Sequence, residues 1–195
     1  MPALVGVDWE RMDRSRRIYL AIPVLAHSVA LGPGSLSNTY ASPAISSVLV
    51  RTGRLVDGAL RRLTDTRNWS YHLYFRDALQ PGHGGFEHTG MVRAMHAYSR
   101  AQHLSHGGGT DEYGTPINAI DMLRTWFDFT YVPYRGLQKM GYELSVSVEE
   151  VRDVYYFWQT IGGLLRIPDD VRSGLDDHES SEQMGAGHRS SGREA

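Results

Sequence analysis

The 195-residue chain contains no cysteine. This absence excludes disulfides, iron–sulfur clusters, haem ligation by a thiolate and zinc sites built from cysteine. Any metal bound by this chain must therefore be held by histidine, carboxylate or tyrosine side chains. The chain has 9 histidines, which makes a histidine-bound metal a question worth testing on individual positions.

The chain also lacks a basic run and a long apolar run. Its 20 Lys and Arg residues are balanced by 22 Asp and Glu residues, so nothing indicates a nucleic-acid partner. No apolar stretch is long enough to span a bilayer. Residues 14–31 are similar to a signal peptide, but they begin well inside the chain and Pro23 and His27 interrupt them. We therefore expect a buried helix there and a cytoplasmic protein.

Apolar residues recur at helical spacing between stretches of glycine and proline, which predicts an all-α fold of about six or seven helices. Ser147 and Glu150 have the spacing of a capping box, so a helix is expected to begin there. From Ser173 onward the composition is polar, which predicts a helical domain over 1–172 and a disordered tail over 173–195. The expected helical segments are 18–31, 43–50 continued over 54–66, 69–79, 91–104, 115–131, the short 134–139, and 147–165. A strand is the alternative to a helix for 69–79.

One candidate for chemistry is His96, in the helix predicted over 91–104. Val92, His96 and Ser99 share one stripe of that helix, and Arg93 and Arg100 flank the histidine. A neutral imidazole on such a stripe can hold haem iron, and the arginines can pair with carboxylates of a haem. The same pattern is compatible with a core histidine that bonds a backbone carbonyl.

A second candidate group is Arg62, Asp65 and Thr66. Arg62 and Thr66 are four residues apart, so both can face one pocket, where a guanidinium and a hydroxyl could stabilise negative charge that develops on O2. Asp65 could act as a base or orient a water. Taken alone, the segment is more typical of a solvated helix face with capping residues at its C-terminal end.

A third segment, 114–122, reads as structural. Thr115 or Asn118 is expected to cap a helix there, and Asp121 to complement the helix dipole. Bulky side chains elsewhere are candidates for the walls of a substrate cavity, although such residues more often fill a core. These wall candidates are Trp126, Phe127 and Trp158.

Four segments in order carry a resemblance to a known family. They are Arg-x-x-x-Thr at 62–66, Val-Arg-x-Met-His-Ala-x-x-Arg at 92–100, Gly-x-Pro-Ile-Asn-x-x-Asp-Met at 114–122, and a Trp-x-x-x-Gly helix followed by Ile-Pro-Asp at 158–169. Over residues 42–171 the chain resembles the MpaB and rubber oxygenase (latex clearing protein) family. The resemblance implies a single globin-like helical bundle around haem b, acting with O2 on a C=C bond of a hydrophobic isoprenoid or lipid-like substrate.

The resemblance also implies residue roles. The proximal histidine of the rubber oxygenase corresponds to His96, and its distal arginine and threonine correspond to Arg62 and Thr66. A distal lysine that can cap the iron corresponds to Asp65, which is a departure from the family pattern because a carboxylate is a poor substitute for an amine. Family members usually continue with further helices after the position of Val171, so a C-terminally shortened domain is expected.

Two other functions compete with the oxygenase. A haem-binding or sensing protein without turnover would share the fold and the cofactor, and Asp65 favours it. A non-haem metal protein would instead draw on histidines outside the helix stripe of His96. The candidates for that site are His83, His88, His103 and His106.

Overall fold

A computed structural model describes residues 4–51, 58–106, 114–142 and 145–191. These residues form helices and turns, and no β-strand occurs among them, so the all-α prediction is confirmed. The helices are α1 Trp9–Ala21, α2 Val24–Val29, α3 Leu36–Tyr40, α4 Pro43–Arg51, α5 Ala59–Leu73, α6 Gly84–Ser105, α7 Ala119–Phe129, α8 Tyr131–Lys139, α9 Val148–Leu164, α10 Asp169–Arg172 and α11 His178–Ser191, with a π-helical segment Ala30–Ser35 between α2 and α3.

The helix predicted over 18–31 is divided at Pro23. Helix α1 ends at Ala21, and Ile22 has an extended backbone with ψ of 127°. The residue before a proline is driven out of the helical region by a clash with the proline ring, which explains this break. Helix α1 also begins earlier than predicted, because the Asp8 carboxylate accepts hydrogen bonds from the backbone N–H groups of Glu10 and Arg11.

Two predicted helix starts depend on capping side chains. The capping box of Ser147 and Glu150 is confirmed, since each side chain accepts a hydrogen bond from the backbone N–H of the other residue. Asn118, rather than Thr115, caps α7, and Asp121 completes a second capping box with it. Helix α7 therefore begins at Ala119, a turn later than predicted.

The core surrounds helix α9. Helix α1 packs along α9 in the most extensive helix–helix contact of the described chain, and α6, α7 and α10 contact it or its neighbours. The Asp153 carboxylate of α9 is buried and accepts a hydrogen bond from Arg11 Nε at 2.7 Å and from Arg14 Nε at 2.6 Å. Burial alone would raise the pKa of Asp153, but the hydrogen bonds from Arg14 and Arg11 outweigh it and the pKa is lowered.

The prediction of a disordered tail from Ser173 is wrong for residues 178–191, which form α11. Leu175 is inserted into the core with 1 % of its surface exposed. The Asp177 carboxylate then accepts a hydrogen bond from the Ser180 backbone N–H at 3.0 Å, as an N-cap does. Composition predicted disorder because one apolar anchor and one cap are a weak signal in a polar segment. Residues 192–195 lie outside the described part of the chain.

Within the described ranges, none of the helices combines the length and apolar character that a membrane crossing requires.

Candidate functional site

Helices α5 and α6 pack side by side and are joined by the turns of residues 74–83. Trp69 of α5 donates its indole N–H to Thr89 Oγ1 of α6 at 3.1 Å, and Thr89 donates to the carbonyl of Gly85 at 2.7 Å. Gly85 permits this close approach: a Cβ there would lie 2.8 Å from the carbonyl oxygen of Ala78 and 2.9 Å from that of His72. These contacts fix the register of the two helices at this end.

The register carries Arg62 to the level of His96. Both helices rise about 1.5 Å per residue and run in opposite directions, so equal numbers of residues from a contact stay level. Seven residues from Trp69 lead back to Arg62, and seven residues from Thr89 lead on to His96. By the same count Thr66 is level with Val92. This count predicts that Arg62 and His96, which are 34 positions apart in the sequence, lie at the same level on neighbouring helices.

His96 is a mostly buried imidazole on α6. Burial, reinforced by the positive charge of Arg100 one turn later, lowers the pKa of His96 to about 4. The imidazole is therefore neutral at neutral pH, which is the form that ligates iron. Arg93, one turn before it, is half-buried on the same helix.

Arg100 is committed to a structural contact as well. Its Nε donates to the carbonyl oxygen of Pro116 at 3.1 Å, and its Nη2 donates to that of Ile117 at 2.5 Å. Ile117 has a positive φ of 53°, a conformation that β-branched residues rarely adopt, and these hydrogen bonds help to hold it. Arg100 thus ties the segment before α7 to the helix that carries His96.

Arg62 is positioned by a residue that the sequence analysis missed. Its Nη2 donates to the hydroxyl of Tyr40 at 2.6 Å, and the guanidinium lies 5.1 Å from the centroid of the Tyr40 ring. Arg62 Nε is buried and has no hydrogen-bond partner among the described residues. A buried N–H without a partner is costly, so this atom is a candidate donor to a bound group. No spacing in the sequence connects Tyr40 with Arg62.

The structure separates Asp65 from the other two residues of its segment. Thr66 is half-buried, one turn from Arg62 on the same face of α5. The Asp65 side chain is 59 % exposed, and it lies 4.0 Å from Arg61 in an exposed pair. Asp65 therefore faces solvent, whereas Arg62 and Thr66 are turned toward the protein.

The proposed cavity walls are mainly part of the core. Trp126 and Trp158 are both 3 % exposed, and the Trp126 indole N–H donates to the Trp158 carbonyl oxygen at 2.8 Å. Phe127 is half-buried against this core. A cavity of about 470 Å³ lies instead between α1 and the turn after α5, with Trp9, Arg16, Arg76 and Phe157 in its lining.

The histidines of the alternative metal site are spread along α6. His83 and His106 lie at opposite ends of the helix, about 35 Å apart at 1.5 Å per residue. His88 lies beside His72, with ring centroids 4.2 Å apart, and His103 is buried near the other end. Across the four described ranges, no three His, Asp or Glu side chains lie close enough together to hold a metal ion.

Comparison with known proteins decides the family. The model of the family described as "ER-bound oxygenase mpaB/B'/Rubber oxygenase, catalytic domain" matches residues 22–184. The chain belongs to this family. No curated protein and no solved structure matches it.

Membership of this oxygenase family agrees with the resemblance found in the sequence. The matched range includes α5 and α6 with all six candidate residues, and it extends to Met184, within α11. The family is one of oxygenases, which act on a substrate with O2.

Proposed function

We propose that this protein is a haem b-dependent oxygenase that inserts O2 at a C=C bond of a hydrophobic, isoprenoid or lipid-like substrate. The observation that carries the proposal is the Trp69–Thr89 contact between α5 and α6, from which equal counts along the two helices put Arg62 level with His96. Membership of the oxygenase family supports the reaction class, and the sequence resemblance supplies the cofactor.

The residues present suit haem. With no cysteine in the chain, His96 is the residue that would hold the iron, and its lowered pKa keeps the imidazole in the neutral, ligating form. Arg93 and Arg100 are the candidate partners of the propionates, with Arg100 also holding two backbone carbonyls. The buried, unpartnered Nε of Arg62 is a donor that the protein itself does not use. Haem iron, when bound, would supply the binding and activation of O2.

Arg62 and Thr66 would set the polarity of the oxygen-binding side. The guanidinium of Arg62 is held by Tyr40, so it can stabilise developing negative charge without first having to reorient. Thr66 adds a hydroxyl one turn away. The Asp65 side chain is exposed at the helix surface. It would therefore act as a base or orient a water only from the solvent-facing side of α5, away from Arg62 and Thr66.

The absorption spectrum of the purified protein, compared with that of His96→Ala, tests the ligand assignment. We expect a Soret band in the wild-type protein and its loss or marked shift, with lower haem content, in the variant. His83→Ala is the matched control, because His83 is an exposed residue at the start of the same helix. A band and haem content that are unchanged in His96→Ala would refute the assignment.

A second experiment separates catalysis from binding. Arg62→Ala should keep the haem content and lower turnover of an alkene substrate by about 10²-fold or more, as removal of a preorganised charge-stabilising donor does. The alternative function is haem binding or sensing without turnover, and Asp65 in place of the family's distal lysine favours it. Under that alternative, the wild-type protein would show a haem spectrum but would not oxidise isoprenoid or lipid alkenes.

A further inference from the structure

We propose that Tyr155 and His178 form a redox-active pair, connected to the candidate site by three tryptophans that carry single electrons. In this role Tyr155 is oxidised to a neutral radical while His178 takes its proton. The proposal rests on the proposed function for its physiological oxidant, a strong one-electron oxidant formed from O2 or peroxide at the candidate site. The pair itself can be tested without that oxidant.

The geometry of the pair suits coupled loss of an electron and a proton. Tyr155 is fully buried on α9, and its hydroxyl lies 2.8 Å from His178 Nδ1 at the start of α11. A phenol that loses an electron becomes a strong acid, so a buried tyrosine needs a proton acceptor at its oxygen. His178 is a base at hydrogen-bond distance from that oxygen.

The protonation states of the pair are the ones that this step requires. Burial raises the pKa of Tyr155 above its ordinary range, so the phenol keeps its proton at neutral pH. Burial lowers the pKa of His178, against the opposing charge of Asp177 and with a smaller contribution from Arg135. The imidazole is then neutral and able to accept the proton. The Tyr134 ring, 4.8 Å from His178, covers it on the side of α8.

Three of the four tryptophans connect this pair to helix α5. The Trp126 ring lies 5.7 Å from the Tyr155 ring, and its indole N–H donates to the Trp158 carbonyl oxygen. The Trp158 ring lies 6.2 Å from that of Trp69. Trp69 is one turn from Thr66 and bonds helix α6 through Thr89. Electron transfer between neighbouring easily oxidised rings is fast, and the step from Trp126 to Trp158 follows the hydrogen bond from the indole N–H to the backbone carbonyl.

The complete step is balanced. The oxidant at the candidate site takes one electron from Trp69 and is reduced by one electron. The electron that Trp69 loses is replaced from Trp158, that of Trp158 from Trp126, and that of Trp126 from Tyr155. The residue finally oxidised is therefore Tyr155. The O–H proton of Tyr155 moves to His178 Nδ1, which leaves a neutral tyrosyl radical and an imidazolium. When O2 is activated without substrate, the relay would pass the oxidation to Tyr155. It would thereby protect Arg62, Thr66 and His96 from oxidative damage.

Ordinary core packing explains rings in contact but not a base on a buried tyrosine. Tyr74, for comparison, is buried and stacks on Tyr19 with ring centroids 3.3 Å apart, so its nearest aromatic neighbour is a second phenol instead of a base. Tyr155 and Tyr74 therefore provide an internal comparison between buried tyrosines: Tyr155 has an imidazole at its hydroxyl, and Tyr74 packs against a phenol.

The test oxidises the full-length chain without haem, using a photogenerated ruthenium(III) polypyridyl complex, and follows radicals by transient absorption and electron paramagnetic resonance. We expect a long-lived tyrosyl signal that is lost in Tyr155→Phe and kept in the double variant Tyr71→Phe/Tyr98→Phe, which removes two exposed tyrosines. His178→Gln retains a hydrogen-bonding side chain but cannot take the proton. It should slow formation of the radical by about 10²-fold, the usual contribution of a positioned base.

Each variant is first checked for native helix content by circular dichroism, and Tyr74→Phe serves as a buried control that should leave the long-lived signal intact. Survival of the signal in Tyr155→Phe, or an unchanged rate in His178→Gln, would overturn the proposal. Absence of haem binding would refute the proposed function while leaving this result in place. Haem-loaded protein treated with peroxide then shows whether the same radical is produced from the candidate site.

Discussion

Helices α6 and α9 are both long, but they differ in how much of each is buried. Eight of the 17 residues of α9 are buried, and Asp153 among them is paired with two arginines. Only three of the 22 residues of α6 are buried. Beside α6, two buried nitrogens, Arg62 Nε and His88 Nδ1, have no hydrogen-bond partner among the described residues. Helix α9 therefore supplies stability, and the α5–α6 pair supplies groups that can bind something else.

The largest effect should come from the core around α9. Ile161 is fully buried, so Ile161→Ala should lower the free energy of unfolding by about 4 kcal/mol through lost apolar burial and a residual cavity. Urea denaturation followed by circular dichroism measures it. Ile120→Ala, at a position 53 % exposed, is the control and should change stability by less than about 0.5 kcal/mol. Equal effects at the two positions would contradict the assignment of α9 as the scaffold.

The buried carboxylate of α9 should give the next effect. Asp153→Asn leaves Arg11 and Arg14 without their counter-charge, and we expect a loss of about 3 kcal/mol. Because the folded pKa of Asp153 is lowered, its stabilisation is present above its unfolded pKa and is lost as the pH falls through the folded pKa. Thermal melts across acid pH should therefore show a steeper decline in wild type than in the variant. Asp65→Asn, in an exposed pair, should change little.

The contact that fixes the register of α5 and α6 should give an intermediate effect. Gly85→Ala would place a Cβ against two backbone carbonyls and cost about 2 kcal/mol, because neither carbonyl can move without moving its helix or turn. Gly84→Ala is the matched neighbour: its nearest atom is a His72 side-chain carbon at 3.4 Å, so it should be neutral or slightly stabilising. Chemical denaturation of the pair tests this, and a neutral Gly85→Ala would show that the close approach is not required.

The smallest effect should come from His96 in the haem-free protein. Its folded pKa is about 4, below its unfolded value, so the unfolded chain binds more protons between these values and stability falls as the pH falls through them. Between pH 7 and pH 5, the free energy of unfolding should fall by about 1 kcal/mol less in His96→Gln than in the wild type. This figure is smaller than the full linkage value because the His96 side chain is partly exposed. His178→Gln, measured alongside, isolates the contribution of a second half-buried histidine whose pKa is lowered by burial. Identical pH profiles for wild type and His96→Gln would show that His96 is not desolvated.

The sequence by itself determined the all-α class and the capping box at Ser147, because helix periodicity and caps act over a few neighbouring residues. It marked Pro23 as an interruption, but the division of the predicted helix into two is a finding of the structure. Its motifs also placed the chain in its oxygenase family and singled out His96, Arg62 and Thr66. Asp65 shows the limit of that reasoning, since spacing placed it with its neighbours and the fold turns it to solvent.

Only the tertiary structure decided which distant residues meet. Arg62 donates a hydrogen bond to Tyr40, 22 positions away in the chain. The Tyr155 hydroxyl lies at hydrogen-bond distance from His178, 23 positions away. The register that sets Arg62 level with His96 depends on Trp69, Thr89 and the close approach at Gly85. Such contacts arise from the packing of whole helices, so the sequence pattern around one residue does not identify the distant residue that it contacts. The ordered α11 is the same case, since a core built by other helices provides the place for Leu175.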